Sequence, residues 1–400
     1  MNESLFRDLQ KAPADPILGV AALFAADKRP NKVNLSVGMY LDNDGKPYML
    51  NVVKAEEQAM AKKGVLHTYS PIRGLPDYRA SVQKMVFGAD SEVVQSGRAA
   101  TIQALGGTGA LKVGIDFARA YLGVTVGASS QPTWGNHDSI MKFAGLRTEK
   151  YRYYDRAHDC VDFQGMCEDL EALPKGALVI LHSCCHNPTG YDLTKEQWLT
   201  VIDICKRHSF IPFLDMAYQG FREGLAKDAL AIRLFADSGM NFLVATSYSK
   251  SFALYGERVG ALTVVTQNRQ EAETVITILE SVIRCNYSNP PLHGARIVAS
   301  VLSDPEKYAQ WSSELDSMRE RIISMRHALS DKMKALNAKR DFSFVTRQAG
   351  MFSFTGLSRD QVDALARDYA IYAVANGRIC ICGLNTHNVD YVAKAFCEVL

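Results

Sequence analysis

One lysine follows an apolar segment that is predicted to be a buried strand. Residues 246–260 read TSYSKSFALYGERVG, so Lys250 follows Ser247 and Ser249, with Arg258 eight residues further on. Burial makes an ammonium group costly and lowers its pKa, which turns the amine into a nucleophile toward an aldehyde. Hydroxyls and a guanidinium group bind a phosphate monoester well. Taken alone, the segment is equally compatible with a solvated lysine in a surface loop.

A second segment ends an apolar run with a polar side chain. In FLDMAYQGF, residues 213–221, Asp215 closes an apolar run and needs a partner, such as a protonated pyridine nitrogen. Tyr218 follows three residues later and could reach the same ligand. A lone Asp is more often satisfied by backbone or capping hydrogen bonds, which is the alternative interpretation. A third segment, residues 104–114 (ALGGTGALKVG), has a glycine-rich turn before a helical pattern. Such a turn favours binding of an anion. Its glycines do not have the spacing of the motifs that bind dinucleotides or nucleoside triphosphates.

The segment LHSCCHNPTG, residues 181–190, introduces a competing hypothesis. Strand alternation would place His182, Cys184 and His186 on one face, as in a metal site. No CxxC pair or HxxxH helix accompanies them, and structural zinc sites usually draw ligands from two such clusters. We therefore predict no bound metal, and expect the turn at 187–190 to direct the Asn187 amide toward the end of the strand.

The pattern of apolar residues predicts alternating strands and helices, and hence parallel βαβ units whose binding groups gather at the carboxyl ends of the strands. The predicted strands are residues 178–184, 211–216, 242–246, 342–345, 351–354 and 379–382. The predicted helices are residues 194–208, with a Thr cap and a Gln three positions later, and residues 305–336. The later elements predict a second α/β domain packed on the first.

Composition excludes several classes of protein. Hydrophobic residues make up 47% and charged residues 22% of the chain, with a net charge of +2 and no basic run. This balance gives no argument for binding nucleic acid or a membrane, and no apolar stretch reaches the roughly 18 residues of a membrane span. Most of the nine cysteines lie in apolar runs, and the N-terminus lacks the layout of a secretory signal. We expect a cytoplasmic protein with reduced thiols.

Four motifs in order carry a resemblance to a known family. They are NPTG (187–190), SxSK (247–250), GERVG (256–260) and NGR (376–378). Together they resemble the class I, fold-type I pyridoxal-phosphate aminotransferases, in the aspartate and aromatic amino acid branch, over nearly the whole chain. The resemblance implies an α/β fold: a large cofactor-binding domain with a mostly parallel sheet flanked by helices (47–317), a smaller α/β domain (15–46 and 318–400) and an N-terminal arm (1–14).

The resemblance also implies roles for individual residues around pyridoxal 5'-phosphate. Lys250 would bind the cofactor covalently and, with Asp215 and Tyr218, carry the catalysis. The other cofactor-binding residues implied are Gly107, Thr108, Trp134, Asn187, Ser247, Ser249, Arg258 and, from a neighbouring subunit, Tyr69. His137 and His182 match supporting positions behind the ring.

Substrate-binding positions follow from the same resemblance. Arg378 matches the residue that binds the α-carboxylate, and Arg284 matches one that reaches a distal carboxylate across a dimer interface. The remaining implied contacts are Gly38, Trp134, Asn187, Phe352 and, across the interface, Ser288. A homodimer with shared active sites is therefore expected.

We expect a ping-pong aminotransferase that moves amino groups between aromatic amino acids (tyrosine, phenylalanine) or aspartate and 2-oxoglutarate. A strict aspartate aminotransferase is the alternative, since Cys285 and Asn289 depart from an aromatic-branch pattern. A different reaction on the same cofactor, β-lysis or decarboxylation, and a non-catalytic metal-binding protein are the rivals from other classes.

Overall fold

The computed structural model describes residues 4–12, 15 and 17–400 of the chain. Its strands are β1 (Val33–Asn34), β2 (Ala99–Leu105), β3 (Val126–Gln131), β4 (Arg147–Arg152), β5 (Tyr154–Asp155), β6 (Cys160–Val161), β7 (Leu178–His182), β8 (Ile211–Met216), β9 (Phe242–Ser247), β10 (Val259–Val265), β11 (Phe352–Phe354), β12 (Ile371–Tyr372) and β13 (Arg378–Cys380). Its helices are α1 (Leu18–Ala26), α2 (Asn51–Lys63), α3 (Pro76–Phe87), α4 (Glu92–Gln95), α5 (Gly106–Tyr121), α6 (Asn136–Phe143), α7 (Phe163–Glu171), α8 (Lys195–Arg207), α9 (Leu225–Asp228), α10 (Leu230–Asp237), α11 (Arg269–Asn286), α12 (His293–Ser303), α13 (Pro305–Ala335), α14 (Arg359–Tyr369) and α15 (Val389–Val399). The predicted N-terminal arm lies partly outside the described residues.

A seven-stranded sheet in the order β2-β10-β9-β8-β7-β3-β4 forms the centre. All neighbouring strands in it are parallel except β10, which runs antiparallel to both β2 and β9. Successive side chains of a strand point to opposite faces, and here both faces are covered. Ile180 packs into a core with α5 and α11, whereas Val179 and Leu181 pack into the other core with α8 and α13. The predicted α/β fold with a mostly parallel sheet is confirmed.

The strands and helix that were predicted in the middle of the chain are confirmed with small changes at their ends. β8 has the predicted bounds, and β9 extends one residue further, to Ser247. Helix α8 begins after Thr194, whose hydroxyl accepts a hydrogen bond from the Gln197 backbone N–H at 3.3 Å. The Gln197 side chain accepts in return from the Thr194 N–H at 2.9 Å. This reciprocal cap satisfies two N–H groups that a helix start leaves free.

Predictions for the C-terminal part were less accurate. The prediction of a strand at 342–345 is wrong, because residues Ser343–Thr346 form a 3-10 helix. The Asp341 carboxylate causes the difference: it accepts hydrogen bonds from the Ser343 backbone N–H and hydroxyl, which closes a turn. The strand expected at 351–354 is confirmed as β11. The one expected at 379–382 ends at Cys380, where a second 3-10 helix, Ile381–Gly383, begins.

Two small sheets lie outside the central one and position residues discussed below. β1 pairs in parallel with β12, which brings residues 33–34 beside 371–372. β11 pairs antiparallel with β13, with Phe352 opposite Cys380 and Phe354 opposite Arg378. Among the residues that the structure describes, no helix has the length and apolar character needed to cross a membrane.

Candidate active site

One cavity of about 170 Å³ opens at the carboxyl ends of β7, β8 and β9. Parallel strands gather their terminal side chains at one edge, which is where binding sites form in such sheets. Every cofactor- or substrate-binding residue predicted from the sequence lines this cavity except Tyr69, Arg284 and Ser288; of the two supporting histidines, His182 lines it and His137 contacts Asp215. The lining residues among those predicted are Gly38, Gly107, Thr108, Trp134, His182, Asn187, Asp215, Tyr218, Ser247, Ser249, Lys250, Arg258, Phe352 and Arg378.

Lys250 lies in the turn that follows β9, with its amine facing the cavity. Removal from water lowers the pKa of Lys250 to about 8; the Asp215 charge opposes this shift, and the charges of Arg258 and Arg378 add to it. The Nζ atom lies 5.5 Å from the centre of the Tyr218 ring. A substantial fraction of this amine is therefore neutral and nucleophilic near pH 7.5.

Asp215, on β8, is a buried anion with a histidine behind it. Its Oδ2 lies 2.9 Å from Nε2 of His137, whose Nδ1 lies 2.9 Å from the Thr133 hydroxyl. Burial alone raises the pKa of Asp215, but the His137 hydrogen bond and the neighbouring charges more than compensate, so the pKa lies below its ordinary value. The site therefore presents a negative charge to any group in the cavity.

The opposite end of the cavity suits an anion. Helix α5 starts at Gly106, so free backbone N–H groups and the positive end of the helix dipole face the cavity. The Ser247 hydroxyl lies 3.2 Å from that of Ser249, which lies 3.5 Å from Arg258 Nη1. A Cβ at Gly106 would lie 2.6 Å from the Arg258 guanidinium, and Gly106 has a φ of +67°. Only glycine lets the backbone approach the guanidinium so closely.

Arg378, on β13, is a buried cation that retains unused donors. Its Nη1 donates to Asn187 Oδ1 at 3.2 Å and its Nη2 to the Ser36 carbonyl at 2.7 Å, whereas the Nε atom has no partner. The Phe352 ring lies over the guanidinium at 4.1 Å. Burial lowers the pKa of Arg378, so an anionic ligand would be stabilised strongly here.

The metal site considered from the sequence is not assembled, and the alternation on which it was based is wrong. β7 ends at His182, and Cys185 has a φ of +51°, so the strand does not continue through 184–186. Both ring nitrogens of His186 are engaged by hydroxyl groups. Cys184 Sγ lies 3.5 Å from the Met216 sulfur instead.

Tyr69, Arg284 and Ser288 lie away from this cavity. Tyr69 is 92% exposed and, with Ser288, lines a separate surface cavity of about 640 Å³. Arg284, near the end of α11, donates a hydrogen bond to the Ser288 hydroxyl. Within one copy of the chain, these three residues are thus grouped with each other and separated from Lys250.

Sequence reasoning missed three apolar residues that line the cavity: Ile17, Leu111 and Ala217. Two of them had a detectable signal. Leu111 lies one helical turn after Thr108, on the same face of α5. Ala217 lies between Asp215 and Tyr218 in the chain. Ile17 precedes α1 and gave no signal.

Comparison with known proteins assigns the family. Residues 30–396 match the family model "Aminotransferase class I and II". The chain is 50% identical to the aspartate aminotransferase of Pseudomonas aeruginosa, covering 99% of this chain and 100% of that protein. It is 45% identical to the aromatic-amino-acid aminotransferase of Escherichia coli, with coverage of 99% and 100%.

A solved structure, the aromatic-amino-acid aminotransferase of Burkholderia pseudomallei covalently bound to pyridoxal phosphate, matches with a TM-score of 0.97 and 50% identity, covering 99% and 100% of the two chains. The aromatic amino acid aminotransferase of Psychrobacter sp. B6, cocrystallised with aspartic acid, matches with a TM-score of 0.96 and 44% identity, covering 99% of each. The chain therefore belongs to the class I and II aminotransferases and is a transaminase of the fold-type I architecture.

Proposed function

We propose that this transaminase uses pyridoxal 5'-phosphate to exchange amino groups between aromatic amino acids or aspartate and 2-oxoglutarate. One observation carries the proposal: an amine of lowered pKa, a buried carboxylate and an anion-binding helix start surround a single cavity. The names of the relatives, which include both aspartate and aromatic-amino-acid aminotransferases, support the pair of substrate classes.

The residues present fit this cofactor at each of its polar groups. The α5 start, with Gly107 and Thr108, and the hydroxyl and guanidinium groups of Ser247, Ser249 and Arg258 would hold the phosphate. Asp215 would face the ring nitrogen, Tyr218 and Asn187 the ring oxygen, and Trp134 the ring face. Trp134 packs edge-on against His137, with ring centres 5.4 Å apart, which fixes its orientation.

When bound, the cofactor withdraws electrons from the α-carbon of the amino acid, which weakens the bond to its proton. Lys250 would have two roles: its neutral amine would hold the cofactor covalently, and as a free amine it would take the α-proton of the amino acid and return it as a general acid. Asp215 would keep the ring nitrogen protonated, because a buried anion stabilises the charged form. His137 keeps Asp215 ionised by donating to its carboxylate.

Substrate recognition would use two arginines. Arg378 would bind the α-carboxylate; in support, it is buried, it lines the cavity and its Nε has no partner. Arg284 would bind the distal carboxylate of aspartate or 2-oxoglutarate. Gly38 and Phe352 form the wall beside the substrate side chain: a Cβ at Gly38 would lie 2.6 Å from the Phe352 ring, so no larger residue fits there.

We further propose a cytoplasmic homodimer with shared sites, in which residues 15–46 and 318–400 form the smaller domain of each subunit. Tyr69, Arg284 and Ser288 would act on the neighbouring copy, which accounts for their position outside the cavity. All nine cysteines are free thiols, as a reducing compartment requires. Mixing Lys250→Ala with Arg284→Met in equal amounts tests sharing. Each hybrid dimer would have one intact site, so a fully exchanged mixture should regain up to about a quarter of the wild-type aspartate activity, whereas unshared sites would regain nothing.

The absorbance spectrum tests the cofactor proposal. The purified protein should be yellow and lose its colour on borohydride reduction, with the cofactor recovered on the peptide that contains Lys250. Lys250→Ala should abolish turnover, while the control Lys227→Ala, at a lysine whose side chain is 73% exposed, should not. Normal turnover by Lys250→Ala would refute the proposal. A colourless protein with bound metal would favour the non-catalytic rival.

Substrate preference is tested by kcat/KM for tyrosine, phenylalanine and aspartate with 2-oxoglutarate as acceptor. We expect comparable values for the two classes. A preference for aspartate by several orders of magnitude would establish the strict aspartate enzyme. Release of carbon dioxide, or of pyruvate and ammonia, without an acceptor would establish one of the other reactions.

A further inference from the structure

A second arginine, buried beneath the substrate wall, touches neither the cavity nor any acidic group. Arg326, on α13, is 2% exposed, and no carboxylate in the described part of the chain accepts a hydrogen bond from it or forms an ion pair with it. An unpaired buried guanidinium is costly, so a structure that retains one must use its donors.

All of the side-chain hydrogen bonds of Arg326 come from Nη1 and Nη2 and go to one short segment, residues 345–353, whereas Nε has no partner. Nη1 donates to the Val345 carbonyl at 2.9 Å and to the Ser353 hydroxyl at 2.6 Å. Nη2 donates to the carbonyls of Gly350 at 2.8 Å and Phe352 at 2.6 Å. The planar guanidinium therefore joins the entry into β11 to the strand itself, as a flexible ammonium group could not.

The segment is connected to the substrate site through β11. β11 pairs antiparallel with β13, and Phe352 lies diagonally across from Arg378, two residues from its direct partner. The two side chains make contact, with the guanidinium 4.1 Å from the ring centre. A shift of β11 would therefore move both the cover of Arg378 and the wall opposite Gly38.

We propose that Arg326 is a positioning residue for the substrate: by fixing β11, it sets the place of Phe352 over Arg378 and so the geometry of α-carboxylate binding. This inference rests on the proposed function. Asp215 lies on β8 of the central sheet and Lys250 in the turn after β9, and neither belongs to the β11–β13 pair. Loss of Arg326 should consequently weaken binding of the carboxylate while leaving the chemical step nearly intact.

The test compares Arg326→Lys and Arg326→Met with wild type as holoenzymes. We expect KM for both aspartate and phenylalanine to rise at least about fivefold in the Lys variant and more in the Met variant, with kcat within about threefold, because losing an interaction that substrate and transition state share raises KM and leaves kcat unchanged. Calorimetric titration with 3-phenylpropionate, a carboxylate without an amino group, should show a parallel rise in Kd that does not depend on turnover.

Arg340→Met is the matched control. Arg340 donates to the Thr355 carbonyl, just beyond β11, and pairs with Asp159, but makes no bond to residues 345–353. Its KM and Kd should stay within about twofold of wild type. Unchanged KM and Kd in Arg326→Lys, or a loss of kcat with unchanged KM, would overturn the inference.

If Arg326→Met does not fold, Arg326→Lys alone decides. A lowered melting temperature of Arg326→Lys together with wild-type KM and Kd would assign Arg326 a purely structural role and overturn the inference. Absence of transamination by the wild-type protein would instead refute the proposed function. The two failures are thus distinguishable.

Discussion

The lowered pKa of Lys250 has a consequence for the stability of the cofactor-free chain. An ordinary lysine titrates at 10.5, and the folded chain lowers the pKa of Lys250 to about 8. At pH values where Lys250 is protonated in both the folded and the unfolded chain, its charge opposes folding by at most about 3 kcal/mol. This value is an upper bound because the amine faces an open cavity. Lys250→Met removes the charge at nearly constant volume and should stabilise the cofactor-free protein.

The sign of the pH dependence follows from proton binding. Between pH 8 and 10.5 the unfolded chain holds the Lys250 proton while the folded chain has released it, so wild-type stability from this group rises with pH. The advantage of Lys250→Met should therefore be largest at pH 7 or below, up to about 3 kcal/mol, and shrink to about 1 kcal/mol at pH 10.

Urea unfolding followed by tryptophan fluorescence at several pH values, at equal protein concentration and without cofactor, measures this difference. Lys250→Leu is the control, since its pH-dependent part should match that of the Met variant while its constant offset reports packing. A difference in unfolding free energy that stays flat from pH 6.5 to 10, or that grows with pH, would refute the argument.

Three further predictions concern single contacts. His137→Phe removes the donor to Asp215, so the pKa of that carboxyl should rise and cofactor affinity should fall by roughly 10- to 100-fold, as equilibrium titration would show; an unchanged Kd would contradict this. Thr194→Ala removes the α8 cap and should cost about 1 kcal/mol in urea unfolding; no loss would contradict the role of the cap. Gly350→Ala and Gly145→Ala both place a side chain at a φ of +79°, but only at Gly350 would the new Cβ meet another Cβ, at 2.5 Å. Gly350→Ala should therefore be less stable than Gly145→Ala by about 1–3 kcal/mol, and equal losses would contradict the packing argument.

Sequence patterns predicted the central sheet well because its strands are buried on both sides. β7, β8 and β9 are continuous apolar runs, and the helix between two of them has both cap residues. The segment 342–345 was mispredicted because its apolar residues are equally compatible with a buried turn. The Asp341 side chain selects the turn through its hydrogen bonds to Ser343, a local competition that apolar periodicity does not register.

The polar residues of the site could be predicted from the sequence, but the residues that hold the cavity walls in position could not. Asp215 and Lys250 each follow an apolar run, where a charge is unusual enough to be noticed. Arg326 gave no such signal, because it lies on a long amphipathic helix where an arginine normally faces solvent. Its partners are three backbone carbonyls and a serine hydroxyl, 19 to 27 residues further along the chain, and only the packed structure shows that it contacts the Phe352 backbone.

The charges of one copy of the cavity also bear on the proposed dimer. Its cations are Lys250, Arg258 and Arg378. In the proposed function the first attaches the cofactor, the second holds its phosphate and the third holds the α-carboxylate, so none is left for a distal carboxylate. An aromatic side chain needs no fourth cation, whereas aspartate does, and the surface-exposed Arg284 is available only if a neighbouring copy supplies it. The proposed activity toward aspartate therefore depends on the proposed sharing of sites between two copies. A monomer with this cavity could still bind phenylalanine but would bind aspartate poorly.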